Sequence, residues 1–363
     1  MKLDIEIHNI THEQIQIQIQ DKLLRILENI PVLRNIDVYR SNNNMYDIKA
    51  SAQIDFVESF NIICEVIVKG EPQYIRNAIN ELIKTKNIMK QDSGNEYYLV
   101  IAAPYISENS SKICEEMGVG YIDLSGNCLL MYKSIYARVE GNPNKYKESR
   151  SSKSIFERSS IKSSIILRHI FQNIDKKWKV QELAELSSTS IGQVSNVKKF
   201  LEEREYITSG QHGSSLIRPK DLISEWGKTY NVKPNSIYEC YSISTIPQIE
   251  QKLIEMKDKS GIVYALTGFS GGVRYSPTVR YNKIHVYIPL QDIQESIELL
   301  ECKKVTSGSN ISIIVPYDPC VLIHTRNIKG NVVVSPVQVC LDLMGLKGRG
   351  EEEMYAILEK EFS

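Results

Sequence analysis

No stretch of the chain approaches the roughly 20 consecutive apolar residues that a bilayer-spanning helix needs. The N-terminus also lacks the basic segment and apolar core that direct secretion. Neither a membrane protein nor a secreted one is expected. Cysteine is scarce: the 363 residues hold seven, an odd number with no CxxC pair, which argues against a disulfide framework and a structural zinc site. A reducing cytoplasm fits best. The six histidines form no ligand cluster, and although His8 and His12 stand four apart, no acid or cysteine motif follows them. No metal and no cofactor are expected. Net charge is absent too, since Lys plus Arg and Asp plus Glu both number 44. Any attraction to nucleic acid must therefore come from a local patch.

The length suits two or three domains, each with a sizeable core, and the composition divides it into three domains and a linker. Residues 1–140 form one α/β domain. His12 to Leu33 is helical, although its IQIQIQ run alternates as a strand would. IDVYRS, YDIKASAQIDFV and NIICEVIVKG are strand-like. Pro72 then opens the helix PQYIRNAINELIKTK, with Ile75, Ile79, Leu82 and Ile83 along one face. YYLVIAAPY is the next strand, Asn109 to Met117 a helix ended by Gly118, and VGYIDL the last strand. This order predicts a two- or three-layer α/β core with a right-handed crossover.

That topology resembles the restriction-endonuclease-like core, in which an aspartate is followed on the next strand by an acid, any residue, and lysine. Asp47 or Asp55 matches the first acid and Glu65 the second, but Ile67 occupies the lysine position. Lys69 comes two residues later. On an extended strand Glu65 and Lys69 stand about 13 Å apart, against about 6.6 Å for the usual spacing, too far to serve one metal-bound water. The resemblance implies a nuclease-like scaffold without its chemistry, and hence a protein that is not an enzyme. The alternative is a DNA-processing nuclease using Asp55, Glu65 and Lys69.

Residues 141–160 are rich in serine and asparagine and read as a basic linker. Lys145, Lys147, Arg150, Lys153, Arg158 and Lys162, in and just beyond it, outnumber Glu148 and Glu157. Residues 161–220 then carry the pattern of a winged helix. The first helix, SSIKSSIILRHIFQNI, has an apolar face of Ile161, Ile165, Ile166, His169 and Ile170. Trp178 fills the junction with a short second helix containing Leu183, Ala184 and Leu186. Ser190 and Gln193 form a capping box that opens the third. In that helix Ile191, Val194, Val197 and Leu201 face inward, leaving Gly192, Ser195, Asn196 and Lys199 outside. A small, polar, basic face near a helix N-terminus suits the major groove. Ser209 to Gly213 turns between two short strands, the wing, with Arg218 and Lys220 beyond it. The residues expected at DNA are Ser190, Gln193, Ser195, Asn196, Lys198, Lys199, His212, Arg218 and Lys220. One such reader covers few bases, so two copies are expected on the duplex, as a homodimer or on adjacent half-sites.

Residues 221–363 are mixed α/β. DLISEWGKTYN is a connecting helix with Trp226 packed between domains. IVYALTG, KIHVYIP, ISIIVPY, CVLIHT and NVVVS are strand-like, and QDIQESIELLE is helical. Ser335, Pro336 and Gln338 predict a capping box opening the helix SPVQVCLDLM, and GRGEEEMYAILEKEF ends the chain as an amphipathic helix. The loop Gly268 to Gly272 lacks the lysine and serine of a phosphate-binding loop and is expected to be a turn. Asp318 and Asp342 are lone acids that suggest no catalysis.

From about residue 97 onward, VIAAPYISENSSKICEEMGVGYIDLSGN, ELAELSSTSIGQVSNVKKFLEE, DLISEWGKTY, VYALTG, SPVQVCLDL and GRGEEE follow in an order that resembles the AbiEi family of antitoxin-like transcriptional regulators. Members often carry the winged helix at the N-terminus, whereas here it is central. The resemblance implies a DNA-binding repressor of its own operon, with a nucleotidyltransferase-like toxin as the neighbouring partner.

Overall fold

The computed structural model describes residues 5–6, 10–41, 45–93, 95–147, 155–157, 160–230, 235–346 and 349–363. The chain is mixed α/β and divides into two compact units, residues 1–152 with 203–205, and residues 153–202 with 206–363. His8, Glu148, Arg150, Lys153 and Arg158 lie outside the described residues.

The first unit runs β1 (Ile5–Glu6), α1 (His12–Glu28), β2 (Leu33–Arg40), β3 (Ile48–Ile54), β4 (Glu58–Val66), α2 (Pro72–Ser93), β5 (Tyr98–Ala103), α3 (Glu108–Glu116), β6 (Gly120–Asp123), β7 (Cys128–Tyr132), β8 (Ile135–Val139) and β9 (Tyr146–Lys147). The ambiguous IQIQIQ run is helical because Ile15, Ile19, Leu23 and Leu27 recur every four residues, and all four are buried. Ile17, which only a strand would bury with them, is left exposed. Thr11 and Gln14 close a capping box at the helix start.

Seven strands form one sheet in the order β2-β3-β4-β5-β6-β7-β8. β4, β5 and β6 are mutually parallel and the flanking pairs antiparallel. The α1 stripe packs with Ile62, Cys64, Val100 and Ala102. Ile75, Ile79 and Leu82 of α2 and Ile113 of α3 pack with Ile63, Leu99 and Ile101 on the opposite face. The unit is thus three layers, helix, sheet and helices. β5 is buried along its whole length, as expected of a parallel strand covered on both sides. VGYIDL, expected to be the last strand, is followed by the hairpin β7–β8, whose turn has Lys133 at φ 49°.

The second unit runs α4 (Ile161–Gln172), α5 (Val180–Leu186), α6 (Ile191–Glu203), β10 (Ile207–Gly210), β11 (Gly213–Leu216), α7 (Pro219–Thr229), β12 (Ser236–Ser242), α8 (Ile246–Ser260), β13 (Ala265–Thr267), α9 (Gly268–Tyr275), β14 (Ile284–Tyr287), α10 (Ile293–Leu299), β15 (Cys302–Lys304), β16 (Ile311–Val315), β17 (Arg326–Ile328), β18 (Asn331–Val333), α11 (Pro336–Met344) and α12 (Arg349–Glu361). β10 and β11 are a separate hairpin, and the other strands form a mixed sheet in the order β15-β12-β16-β14-β13-β18-β17. The core of α4–α6 is continuous with that of the sheet and its helices.

Three local expectations are corrected here. Gly268 to Gly272 is not a turn but the start of α9. Glycine has low helix propensity, yet a Cβ on Gly271 would lie 3.0 Å from the Leu266 carbonyl oxygen, and one on Gly272 3.0 Å from Glu353 Cγ. Close packing, invisible locally, selects the residue. CVLIHT is not a strand: Pro319–Leu322 makes a 3-10 turn, opened by Asp318 accepting the Cys320 N–H at 2.9 Å. At α11, Ser335 Oγ accepts the Gln338 N–H at 3.3 Å, but the Gln338 side chain does not complete the box. Its amide Nε2 donates instead to Tyr230 Oη at 2.8 Å and Asp342 Oδ1 at 2.9 Å.

Candidate nucleic-acid interface

α4, α5 and α6 are held together by a small shared core. Ile166 and Ile170 of α4, Leu183 of α5, and Val194, Val197 and Leu201 of α6 are all buried, together with Ile207 and Leu216 of the hairpin. Trp178 is buried as expected, and its backbone exchanges hydrogen bonds of 2.8 and 2.9 Å with Ser214. This adds a third extended segment beside β10–β11. His169 is also buried, with Nδ1 3.2 Å from His324 Nε2, and burial pulls both imidazoles below their ordinary pKa.

The outward side of α6 presents Gly192, Ser195, Asn196 and Lys199, all exposed. Ser190 Oγ accepts the Gln193 N–H at 3.2 Å and so caps the helix. Two expectations for α6 change. Gln193 turns inward, donating from Nε2 to Ser163 Oγ at 3.0 Å, so its amide serves the packing of α4 against α6. Ile191, expected inside, is 55% exposed, because the first residue of the helix lies beyond the reach of the shared core.

The β10–β11 hairpin pairs Gly210 with Gly213, leaving Gln211 and His212 as a two-residue exposed tip. Gly213 sits at φ 125°, and a Cβ there would come within 2.7 Å of the Trp178 carbonyl oxygen. Only glycine satisfies both conditions. The expected cations are mostly held by carboxylates: Lys198 by Glu202 at 3.5 Å, Arg218 by Asp221 at 2.7 Å and Lys220 by Glu359 at 2.8 Å. Lys199 has no ion-pair partner among the described residues. Lys162 is exposed, whereas Lys145 donates to the Ser125 carbonyl at 3.3 Å. Ser190, Ser195, Asn196 and Lys199 therefore share one exposed helix surface, while Arg218 and Lys220 belong to the start of α7.

In the first unit the structure brings Asp47, not Asp55, to Glu65. Asp47 immediately precedes β3, its N–H donating to the Cys64 carbonyl at 3.0 Å. Its carboxylate accepts from the Val66 N–H at 2.7 Å and from Gln16 Nε2 at 2.6 Å. His12 Nε2 lies 3.8 Å from it. Asp55 occupies the β3–β4 turn at φ 47°, at the far end of a ladder that pairs Ile48 with Cys64 and Ile54 with Glu58. Burial, and next the Asp47 charge, push the Glu65 carboxyl up to about 7. Lys69 lies beyond the end of β4, with its ammonium over the Tyr74 ring, 5.2 Å from the centroid. Among the described residues no set of three or more His, Cys, Asp or Glu is arranged to hold a metal ion.

Sequence reasoning missed a buried polar network in the second unit. Arg168 of α4 is buried and donates from Nη2 to Gln338 Oε1 at 2.6 Å, while its guanidinium lies over the Trp226 ring. Asp342, also buried, accepts from Gln338 and from Tyr287 Oη at 3.0 Å, and from the Thr267 hydroxyl. Burial raises its pKa. Arg168 in the apolar run SIILRHIF was the available signal, since a buried charge demands a partner.

Among the described residues no helix is long and apolar enough to cross a membrane. No curated protein and no solved structure matches the chain. Residues 97–214, which also carry the resemblance noted in the sequence, lie outside the span that a family model matches. The family model described as transcriptional regulator, AbiEi antitoxin, type IV TA system matches residues 215–362, from the end of β11 through α12.

Proposed function

We propose that the chain is a DNA-binding transcriptional regulator, an AbiEi-type antitoxin that represses its own operon, with residues 161–220 forming the winged helix that reads duplex DNA. The observation that carries this reading is the outward face of α6. Gly192, Ser195, Asn196 and Lys199 are exposed along a helix whose opposite side is locked into a core, and a hairpin with an exposed two-residue tip follows. Asn196 can pair with an adenine edge, and Lys199 with a phosphate. Specificity beyond a few bases requires two copies, as a homodimer or on adjacent half-sites. The genetic partner is a nucleotidyltransferase-like toxin, which this reading takes from the AbiEi resemblance.

The first unit, in the same proposal, is a restriction-endonuclease-like scaffold that does not cleave. Its succession of helix, antiparallel strands, helix and parallel strand supports the scaffold. Ile67 in the lysine position supports the lost chemistry. The deciding experiment is a footprint of the DNA upstream of the gene, run beside incubation of plasmid with Mg²⁺ or Mn²⁺. Repeated protected half-sites about 10 base pairs apart, or a multiple of that, are expected, with intact plasmid. Absence of protection overturns the regulator reading, and cleavage that vanishes in Glu65→Gln restores a nuclease.

A further inference from the structure

Two of the seven cysteines face each other at one edge of the second unit's sheet. Cys240 lies on β12 and Cys302 on β15, and the antiparallel ladder pairs Cys240 with Lys304 and Ser242 with Cys302. The two cysteines are therefore diagonal neighbours, two residues out of register, on the same face of adjacent strands. That face is turned into the core, and both side chains are buried. Cys302 Sγ donates to the Ile297 carbonyl at 3.7 Å, and the two thiols are near enough for each to shift the acidity of the other.

We propose that Cys240 and Cys302 form a redox modification site, a thiol pair that a hydroperoxide converts reversibly to a disulfide, fastening β15 to β12. Diagonal residues on paired strands stand about 7–8 Å apart at Cα, and a disulfide needs roughly 4.4–6.8 Å, so one strand must shift by an ångström or two. β15 can supply that shift. It is three residues long, lies at the edge of the sheet and is laddered on one side only, and short edge elements open at low free-energy cost. The same opening admits the oxidant.

The pair also has unequal acidity. The neighbouring Cys302 thiol, with help from the Lys304 charge, lowers the Cys240 pKa against burial, whereas the Cys240 thiol and burial push Cys302 up. Cys240 is thus the sulfur that attacks. Its thiolate takes the terminal oxygen of the hydroperoxide, the O–O bond breaks, and an alcohol leaves after protonation. Cys240 is now a sulfenic acid, oxidised by two electrons. The Cys302 sulfur then attacks it, the Cys302 proton leaves with the departing hydroxyl as water, and the S–S bond forms. In sum, two thiols and one hydroperoxide give one disulfide, one alcohol and one water; with hydrogen peroxide the alcohol is a second water.

The test uses the full chain, reduced, desalted and dilute, treated with hydrogen peroxide and then alkylated. The thiol titre should fall by two from seven. A non-reduced tryptic digest should join peptides 229–252 and 284–303, each of which holds one cysteine. Dithiothreitol should separate them. In Cys302→Ser, with no partner to resolve it, dimedone should label Cys240. A titre that stays at seven overturns the proposal, as does a loss of thiols into any other pairing. The wild-type measurement stands whether or not the variant folds.

Discussion

Removing the charge of Glu202 should make DNA binding stronger and more salt-sensitive, and removing Lys199 should do the opposite. Of the four cations expected at the DNA, Lys198, Arg218 and Lys220 each hold a carboxylate, at 3.5, 2.7 and 2.8 Å. Each phosphate neutralised adds about −0.9 to the slope of log affinity against log salt. If Lys199 alone engages, the slope per winged helix is about −0.9, and if all four engage it is about −3.6. The pairs lie at the surface, where such interactions are worth about 0–1 kcal/mol, so a phosphate competes with Glu202 for Lys198. Glu202→Gln releases Lys198 and removes a like charge from the DNA side. The slope should then steepen by up to about 0.9, and Lys199→Ala should flatten it by the same amount. Over a fourfold range of salt, one such contact changes affinity about 3.5-fold. Fluorescence anisotropy with a labelled duplex carrying the upstream sequence, titrated at several salt concentrations, reads both variants. An unchanged slope in Lys199→Ala would show that the outward face of α6 does not meet the backbone.

Three other outcomes follow from the same structure. Asn196→Ala should relax the preference at one base position, worth about 1–3 kcal/mol, and leave the salt slope as it was; a randomised-site binding profile checks this. Glu65→Gln should stabilise the first unit only at neutral and alkaline pH. The Glu65 carboxyl is raised from 4.5 to about 7 in the fold, so the cost of ionising it is absent below about 4.5 and complete above about 7. The gain should be about 1–2 kcal/mol at pH 8, discounted for solvent exposure, and vanish near pH 4.5 in urea titrations. Arg168→Met should destabilise the second unit by about 1–3 kcal/mol, because Gln338 Oε1 loses its buried donor at 2.6 Å. Calorimetry that finds no change would mean Arg168 contributes nothing net.

The elements that local pattern can specify were legible. Four-residue spacing marks the buried stripe of α1, and cap residues mark the starts of α6 and α11. Alternation and turn residues mark the hairpin whose tip is Gln211 and His212. The exposed face of Ser195, Asn196 and Lys199 was legible for the same reason, since helical periodicity alone assigns the two sides of α6. β12 and α8 were missed even though Thr245, Pro247 and Gln248 give α8 a capping box and a proline near its start, a local signal that was present and unused.

What the tertiary structure decided depends on residues distant in sequence. Asp47 rather than Asp55 reaches Glu65 because the β3–β4 register puts the two aspartates at opposite ends of one hairpin. Gln193 and Gln338 have the spacing of capping residues, yet their side chains go to Ser163, 30 positions away, and to Tyr230, 108 positions away. A buried amide gains more from a buried partner than from a solvated helix end. Gly271 and Gly272 of α9 are glycines because Leu266 and Glu353 approach to 3.0 Å of where a Cβ would stand, so a larger residue would have to displace them. Three of the four expected DNA-facing cations carry counter-charges, of which Glu359 lies far along the chain from Lys220. Sequence periodicity determines which side of a helix faces outward, whereas the partner each side chain meets there is fixed only when distant segments pack together.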